Sequence, residues 1–154
     1  MNILVTGGTG FVGKPLVESL LSRGDSVTVL TRSIEKAQTI FPEKTPQFLT
    51  ALSTLKDLNE FDAVINLAGE PIFDKRWTVQ QKEKLRHSRI DLTQQIVQLI
   101  NQSEHPPFLI SGSATGIYGD GGEDVLTENS YPSSQFTAQL CIDWENAAKQ
   151  ANTR

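Results

Sequence analysis

Short apolar runs alternate with amphipathic stretches along this chain of 154 residues. The apolar runs have the length and composition of buried strands, and they cover Asn2–Thr6, Ser26–Thr31, Gln47–Thr50, Asp62–Ala68 and Phe108–Ser111, of which Gln47–Thr50 is the weakest. The stretches between and after them repeat apolar residues with a helical period, and they cover Phe11–Arg23, Ile34–Thr39, Thr78–Gln102 and Ser134–Lys149. This alternation predicts an α/β fold, a doubly wound parallel sheet with helices on both faces.

The longest helical stretch carries a continuous apolar stripe. This predicted helix begins after Thr78, a residue suited to cap a helix. The apolar stripe consists of Leu85, Leu92, Ile96, Leu99 and Ile100. Such a stripe faces either the core or a second subunit, so a homodimer through this helix is one expectation. The last helix has the spacing of a core face, with apolar residues at Phe136, Leu140 and Trp144. Polar and glycine-rich residues from Tyr118 to Ser134 predict a loop over the carboxyl ends of the strands, where ligands bind in such folds.

The connection between the first strand and the first helix reads Thr6-Gly7-Gly8-Thr9-Gly10-Phe11-Val12-Gly13. Glycines at this point permit positive φ, allow the backbone to approach a pyrophosphate closely and let the helix pack tightly on its strand. The amide groups and the dipole of the helix N-terminus attract the phosphates. The motif therefore predicts a dinucleotide-binding turn of the Rossmann type, the alternative being a tight connection without a ligand.

The same residues fit a second phosphate-binding motif only in part. The segment from Gly8 to Lys14 has the spacing G-x-x-x-x-G-K. That motif continues with a Ser or Thr hydroxyl for Mg²⁺, and here the next residue is Pro15. A kinase or nucleoside triphosphatase is therefore disfavoured.

The residues that follow the second strand favour a phosphorylated adenosine. An NAD-preferring domain places an Asp or Glu there, roughly 20 residues beyond the glycines, to bind the ribose hydroxyls. This chain instead has Thr31, Arg32 and Ser33. A guanidinium between two hydroxyls suits a 2′-phosphate, and no carboxylate is present to repel it. We therefore expect NADP(H) as the cofactor, the alternative being a surface arginine at a strand end.

Composition limits the classes of function. With 38% hydrophobic residues the chain can bury one core, so we expect one domain over residues 1–154. A formal net charge of −4 disfavours nucleic acid as a partner. No apolar run reaches the roughly 20 residues of a membrane span and no leader precedes Asn2, so we expect a soluble, cytoplasmic protein. The single cysteine, Cys141, and the histidines His87 and His105 predict neither a disulfide framework nor a metal site.

Several segments together resemble one enzyme superfamily. The glycine turn is joined by Asn66-Leu67-Ala68-Gly69 and by Ser111-Gly112-Ser113-Ala114-Thr115-Gly116-Ile117-Tyr118-Gly119, and these segments resemble the extended short-chain dehydrogenase/reductase superfamily. The resemblance narrows to its atypical members in the NAD-dependent epimerase/dehydratase family, described as sugar nucleotide epimerases and sometimes as cell division inhibitors. The segments that narrow it are Gly69-Glu70-Pro71-Ile72, Arg76-Trp77-Thr78, Lys82, Ser88-Arg89 and Cys141-Ile142-Asp143-Trp144-Glu145. The resemblance covers Met1 to about Ala148 of this chain. Members of the family are longer, which implies that a C-terminal substrate-binding portion is absent here.

The resemblance also implies which residues bind the cofactor. It places the pyrophosphate against Gly7, Gly10, Phe11, Val12 and Gly13. It places the adenosine 2′-phosphate against Thr31 and Arg32 and the ribose side against Leu67 and Ala68, and Gly69 is another predicted cofactor contact. It adds Arg89 and Ser111 as further contacts, although Arg89 can equally be an exposed helix arginine.

The same resemblance shows a difference at the catalytic positions. Standard members use a Tyr-x-x-x-Lys pair on the last helix of this region, in which the phenol is the general acid/base and the lysine lowers its pKa. Here the corresponding pair is either Phe136 with Leu140 or Thr137 with Cys141, so neither tyrosine nor lysine is present. The apolar helix around Cys141 favours a buried, unreactive thiol over a nucleophile.

Two catalytic candidates remain. Ser113 matches the catalytic hydroxyl of the superfamily, and Tyr118 is a nearby phenol. The sequence thus favours an NADP(H)-binding protein of the extended reductase/epimerase type, an oxidoreductase or epimerase with an unknown small or nucleotide-linked substrate. The missing pair keeps open a non-catalytic module that senses NADP(H), and a purely structural α/β domain would require the glycines to be incidental.

Overall fold

The sheet consists of strands that are all parallel to their neighbours. The computed structural model describes residues 1–42 and 45–153, and there the strands are β1 (Asn2–Thr6), β2 (Ser26–Leu30), β3 (Gln47–Leu49), β4 (Ala63–Asn66) and β5 (Phe108–Ser111). Their order is β3-β2-β1-β4-β5, so the chain winds from β1 towards one edge and returns to fill the other. The predicted doubly wound parallel sheet is confirmed, and its winding reverses between β1 and β4.

The helices lie between and after the strands. In the described residues they are α1 (Gly13–Arg23), α2 (Ile34–Ile40), α3 (Val79–Arg86), α4 (Leu92–Gln102) and α5 (Phe136–Ala148), with 3₁₀ turns at Leu52–Thr54 and Thr115–Ile117. Helix α1 begins two residues later than predicted, because the glycine turn extends as far as Val12. Pro15 is the third residue of α1, where a missing amide donor costs least.

Side chains of the central strand point alternately to two cores. Ile3 and Val5 of β1 are buried against α1 on one face of the sheet. Leu4, between them, is buried against α4 on the opposite face. A further cluster joins α5 to the longest helical stretch through Leu85, Ile90, Leu140 and Trp144. Helices therefore cover both faces, as predicted.

The stretch predicted as one long helix contains a π-helical turn, His87–Asp91, between α3 and α4. Thr78 caps its start by accepting a hydrogen bond from the Gln81 amide, as predicted. The apolar stripe is turned into the core, where Leu85, Ile96, Leu99 and Ile100 are buried and Leu92 is partly buried. The stripe therefore provides no argument for a homodimer, which stays a prediction.

The remaining predictions about structure concern loops and isolated residues. Residues 118–134 contain neither helix nor strand, which confirms the predicted loop. Cys141 is buried, whereas His87 and His105 are exposed. Across residues 1–42 and 45–153, no helix is long and apolar enough to cross a membrane. In the same two ranges, no group of three His, Cys, Asp or Glu side chains could hold a metal ion.

Candidate functional site

The glycine turn brings backbone segments closer together than a side chain would allow. Gly7 has a φ of 68°, and the Gly10 amide donates a hydrogen bond to the Gly7 carbonyl oxygen over 3.0 Å. A Cβ atom on Gly7 would lie 2.6 Å from the carbonyl carbon of Leu67, and one on Gly13 would collide with the Gly7 carbonyl oxygen. Both positions therefore require glycine, and the backbone surface left open is a cradle into which a phosphate group fits.

Main-chain amides at the start of α1 are available to a ligand. Within the described part of the chain, neither Phe11 nor Val12 donates a backbone hydrogen bond. Their side chains are apolar and 98% and 62% exposed, and apolar side chains cannot bind a phosphate. These two predicted contacts would therefore act through their backbone amides. Unpaired amides together with the positive end of the helix dipole favour an anion at this point.

A cleft of about 1070 Å³ opens beside the turn, at the carboxyl ends of β1, β2 and β4. Its volume suits a cofactor-sized ligand. The predicted cofactor residues that line it are Gly7, Gly10, Thr31, Arg32, Leu67, Ala68 and Gly69. The fold thus brings residues from three separate segments into one cleft. The cleft also includes residues not predicted from the sequence, among them Lys36, Glu70, His87, Ser88 and Gln95.

Arg32 is exposed and lies in the cleft directly after β2. The hydroxyls on either side of it hold the turn into α2: Thr31 donates to the Ser33 carbonyl over 3.1 Å, and the Ser33 hydroxyl accepts from the Lys36 amide over 3.4 Å. Among the residues that the structure describes, no hydrogen bond or ion pair occupies the Arg32 guanidinium. A fixed turn with an unbound guanidinium suits a phosphate ligand.

Glu70 brings a negative charge to the same cleft. Its carboxylate accepts a hydrogen bond from Lys75 Nζ over 2.8 Å, which is the main cause that lowers the pKa of Glu70. The Arg32 guanidinium also lowers the pKa of Glu70 by a smaller attraction, so the two side chains act on each other within the cleft. Glu70 is therefore ionised at neutral pH, and Lys75 offsets its repulsion of an anionic ligand.

Buried polar side chains lie beneath the cleft. The Thr6 hydroxyl donates to Asn66 Oδ1 over 2.7 Å, and Asn66 Nδ2 donates to the Thr93 hydroxyl over 2.8 Å. Trp144 Nε1 donates to the same Thr93 oxygen over 3.0 Å. The Thr6 hydroxyl also accepts the Ala68 amide hydrogen over 3.2 Å. This network therefore ties β1, β4, α4 and α5 to the backbone of a cleft residue.

The predicted residues after β5 lie in a separate hollow. Ser111 and Ser113 line a cavity of about 460 Å³ together with Glu145 of α5. The Ser113 hydroxyl donates to Glu145 Oε1 over 2.6 Å, so a carboxylate orients the predicted catalytic hydroxyl. Ser111 accepts a long hydrogen bond from Asn66 Nδ2 over 3.4 Å. No role for Glu145 was predicted, and its only signal in the sequence was its place in the Cys141–Glu145 segment.

The structure decides which face of α5 meets the segment after β5. A Cβ atom on Gly116 would lie 3.7 Å from Thr137 Cβ, and Cys141 lies against the backbone of Ala114. Phe136, one residue before Thr137, packs against a core cluster instead. Thr137 and Cys141 therefore face the segment after β5, which favours this pair over Phe136 and Leu140 as the predicted counterpart of the tyrosine and lysine. Burial raises the pKa of the Cys141 thiol, so neither side chain is ionised at neutral pH.

Besides Phe11, Val12 and Gly13 of the glycine turn, two more predicted residues line neither cavity. Tyr118 is half-buried and directly follows the 3₁₀ turn Thr115–Ile117. Arg89 lies in the π-helical turn, behind the cleft wall that Gly69 and Glu70 form. The structure therefore places Arg89 next to the cleft wall and not in the cleft.

The parallel sheet, the glycine turn and the cleft at the point of reversal together define a dinucleotide-binding domain of the Rossmann type. The chain belongs to the NAD-dependent epimerase/dehydratase family, whose model matches residues 3–153. The family indicated by the sequence motifs is thereby confirmed.

Relatives within the family are similar along the whole chain. The epimerase family protein SDR39U1 homolog, chloroplastic, from Arabidopsis thaliana is 40% identical over 158 residues, covering 99% of this chain and 45% of that protein. Epimerase family protein YfhF of Bacillus subtilis is 38% identical, covering 94% of this chain and 48% of that protein. The crystal structure of human epimerase family protein SDR39U1 (isoform 2) with NADPH matches with a TM-score of 0.81 at 29% identity, over 96% of this chain and 48% of that one. The chain therefore spans about half the length of the relatives it matches.

Proposed function

We propose that this chain binds NADP(H) and forms the nucleotide-binding part of an oxidoreductase or epimerase. Its substrate in this proposal is a hydroxyl or carbonyl compound, either small or linked to a nucleotide. The observation that carries the proposal is the position of Arg32, whose exposed guanidinium lies in the same cleft as the glycine turn. A phosphate cradle and a separate cation in one cleft match the charges of a phosphorylated dinucleotide.

The steric properties of the turn support this ligand. A Cβ atom on Gly7 would collide with the Leu67 backbone and one on Gly13 with the Gly7 carbonyl oxygen, so only glycine allows the tight backbone path of a dinucleotide-binding turn. The amides of Phe11 and Val12 would hold the diphosphate, and Arg32 would hold the 2′-phosphate. Human SDR39U1, a relative at 29% identity, was crystallised with NADPH, which favours the same cofactor here.

The chemistry of the proposal divides between cofactor and chain. Bound NADPH supplies a hydride to a carbonyl carbon. In the proposal the Ser113 hydroxyl, which donates to Glu145 Oε1 over 2.6 Å, turns from Glu145 and donates to the substrate oxygen instead. Because Thr137 and Cys141 provide no acid or base, the proposal takes the proton that the reduced oxygen needs from water, while the Ser113 hydroxyl donates a hydrogen bond to that oxygen.

Calorimetric binding of NADPH and NADH to the full-length protein and to Arg32→Ala tests the proposal. Loss of hydrogen bonds between a guanidinium and a phosphate costs about 1.5–3 kcal/mol, so we expect NADPH affinity to fall about 10- to 100-fold and NADH affinity to stay unchanged. Arg23→Ala removes an exposed arginine at the far end of α1 and should change neither affinity. A full-length protein that does not bind NADPH overturns the proposal, and equal losses for both cofactors would remove Arg32 from the 2′-phosphate site.

A second function, NADP(H) sensing without turnover, is favoured by one observation. The two α5 positions that face the segment after β5 are Thr137 and Cys141, and neither provides an acid or base at neutral pH. Such a module would bind NADPH with the same selectivity and leave it unoxidised. Absorbance at 340 nm with a panel of carbonyl compounds distinguishes the two, because steady oxidation of NADPH by any of them excludes the sensing function.

The proposal extends to the whole protein. A C-terminal portion that binds substrate accompanies this domain, as the greater length of the relatives supports. We propose that the protein acts in the cytoplasm without nucleic acid or a membrane as partner, and the homodimer expected from the sequence stays a prediction. Light scattering of the full-length protein over a range of concentrations checks the dimer, and a monomer mass throughout contradicts it.

A further inference from the structure

Two side chains of the π-helical turn reach the segment that forms one wall of the cleft. A π turn holds one more residue than an α-helical turn, and such turns often lie at functional sites. Ser88 and Arg89 belong to the π turn His87–Asp91, and both project towards the segment that follows β4. The change in helix type therefore gives adjacent residues access to the same backbone segment.

Ser88 and Arg89 hold both polar backbone groups of Glu70. The Glu70 amide donates to the Ser88 hydroxyl over 2.9 Å, and Arg89 Nη1 donates to the Glu70 carbonyl oxygen over 3.1 Å. The Ser88 hydroxyl in turn donates to the Leu85 carbonyl oxygen over 3.1 Å, which fixes its direction. A backbone unit held at both its amide and its carbonyl has little freedom to shift.

The Arg89 guanidinium also fills the space directly behind the wall. A Cβ atom on Gly69 would lie 2.7 Å from Arg89 Cζ, so glycine permits the guanidinium to approach this closely. On its other side, Arg89 Cζ lies 5.5 Å from the centre of the Trp144 ring, within the range of a cation–π contact. Arg89 is therefore held between α5 and the cleft wall.

We propose that Ser88 and Arg89 are positioning residues that hold Gly69–Pro71 as a fixed wall of the dinucleotide cleft. This inference rests on the proposed function, because it requires a dinucleotide to occupy the cleft. The wall lines the cleft without carrying the cation that selects the 2′-phosphate. Loss of these contacts therefore weakens NADPH and NADH alike, whereas Arg32 affects NADPH alone.

Arg89→Met in the full-length protein tests the inference, since it keeps an apolar stem beside Trp144 and removes the guanidinium. We expect the dissociation constants of NADPH and NADH to rise together by about tenfold. Arg89→Lys keeps a donor for the Glu70 carbonyl and restores part of the affinity. Arg86→Met is the matched control, because Arg86 lies one turn earlier and its guanidinium forms a 2.7 Å ion pair with Asp143 instead of contacting the wall. We expect this variant to leave both dissociation constants unchanged.

A double-mutant cycle between Gly69 and Arg89 tests the contact itself. Gly69→Ala alone pushes the guanidinium off the wall and raises both dissociation constants. In an Arg89→Ala background the added methyl meets no guanidinium, so we expect the double variant to bind as Arg89→Ala does. Losses that multiply in the double variant would contradict the inference.

The possible outcomes separate this inference from the proposed function. A wild-type protein that binds no NADPH overturns the proposed function and the inference with it. Wild-type binding together with unchanged affinity in Arg89→Met overturns the inference alone. If circular dichroism shows that Arg89→Met does not fold, Ser88→Ala is the milder variant, and unchanged affinity there gives the same negative answer.

Discussion

The two sides of the reversal point in the sheet are built in different ways. On the side of β1 and β2, the glycine turn and Arg32 form one cleft with unpaired amides and an unbound guanidinium in the described residues. On the side of β5, the polar groups contact each other: Ser113 donates to Glu145, and Thr137 and Cys141 bring no ionised group. The first side is open to a ligand, and the second has its hydroxyl already paired.

This difference separates the features on which the proposed binding depends from those on which the proposed catalysis depends. The cradle depends on main-chain geometry, which Gly7 and Gly13 make possible by having no side chain. The proposed catalysis depends on the chemistry of individual side chains, which can be lost without change in the fold. The following experiments, in order of expected effect, test whether the two sides are separate in this way.

Gly13→Ala should have the largest effect, confined to the side of the glycine turn. The added Cβ would collide with the Gly7 carbonyl oxygen and displace the turn that binds the diphosphate. We expect this displacement to cost about 3 kcal/mol of binding free energy, which lowers NADPH affinity about 100-fold. Gly116→Ala is the matched control on the β5 side, because its Cβ would meet Thr137 at an ordinary 3.7 Å. Calorimetry gives the affinity and circular dichroism the fold. Equal losses in both variants would show that the two sides are not separate.

Thr93→Val should destabilise the fold, because Thr93 is the shared acceptor in the buried network that continues through Asn66 to Thr6 of β1. It is fully buried, and its loss leaves the donors of Asn66 and Trp144 without their acceptor. We expect the free energy of unfolding in urea to fall by about 2–3 kcal/mol. Thr39→Val, an exposed threonine on α2, should change it by less than about 0.5 kcal/mol. If the free energy of unfolding fell as little in Thr93→Val as in Thr39→Val, the buried network would not join the two sides.

Cys141 should give the smallest effect, a loss of stability at alkaline pH. Burial raises the pKa of its thiol above the ordinary value of 9.0, so the unfolded chain releases this proton at a lower pH than the folded protein does. The stability contribution is therefore complete below about pH 9 and is lost as pH rises through the folded-state pKa. Urea unfolding between pH 8 and 10.5 in wild type and Cys141→Ala measures it. The same downward slope in both proteins would refute a contribution from this thiol.

The strands and the glycine turn could be predicted from the sequence, because both depend on local patterns. The π turn His87–Asp91 could not, because the buried stripe from Leu85 to Ile100 continues through it and the apolar spacing accommodates an extra residue. The contacts of Arg89 could not be predicted for a different reason: its partners Glu70 and Trp144 are 19 and more residues away in sequence.

The β5 side illustrates a second reason for incomplete prediction. Phe136 with Leu140 and Thr137 with Cys141 both fit one amphipathic helix, and the approach of Thr137 to Gly116 and of Cys141 to Ala114 distinguishes them. The pairing of Ser113 with Glu145 joins residues 32 apart and requires the three-dimensional arrangement of β5 and α5. Patterns within one element determine which face is apolar, whereas tertiary packing determines which polar residues meet.

The close approach of Gly7 to Leu67 has a consequence for protein engineering. The main chains after β1 and β4 touch with no side chain between them. A replacement loop grafted after β4 along a different path would therefore displace the turn after β1 as well. Redesign for another ligand must therefore replace side chains on these two connections and leave their backbone path unchanged.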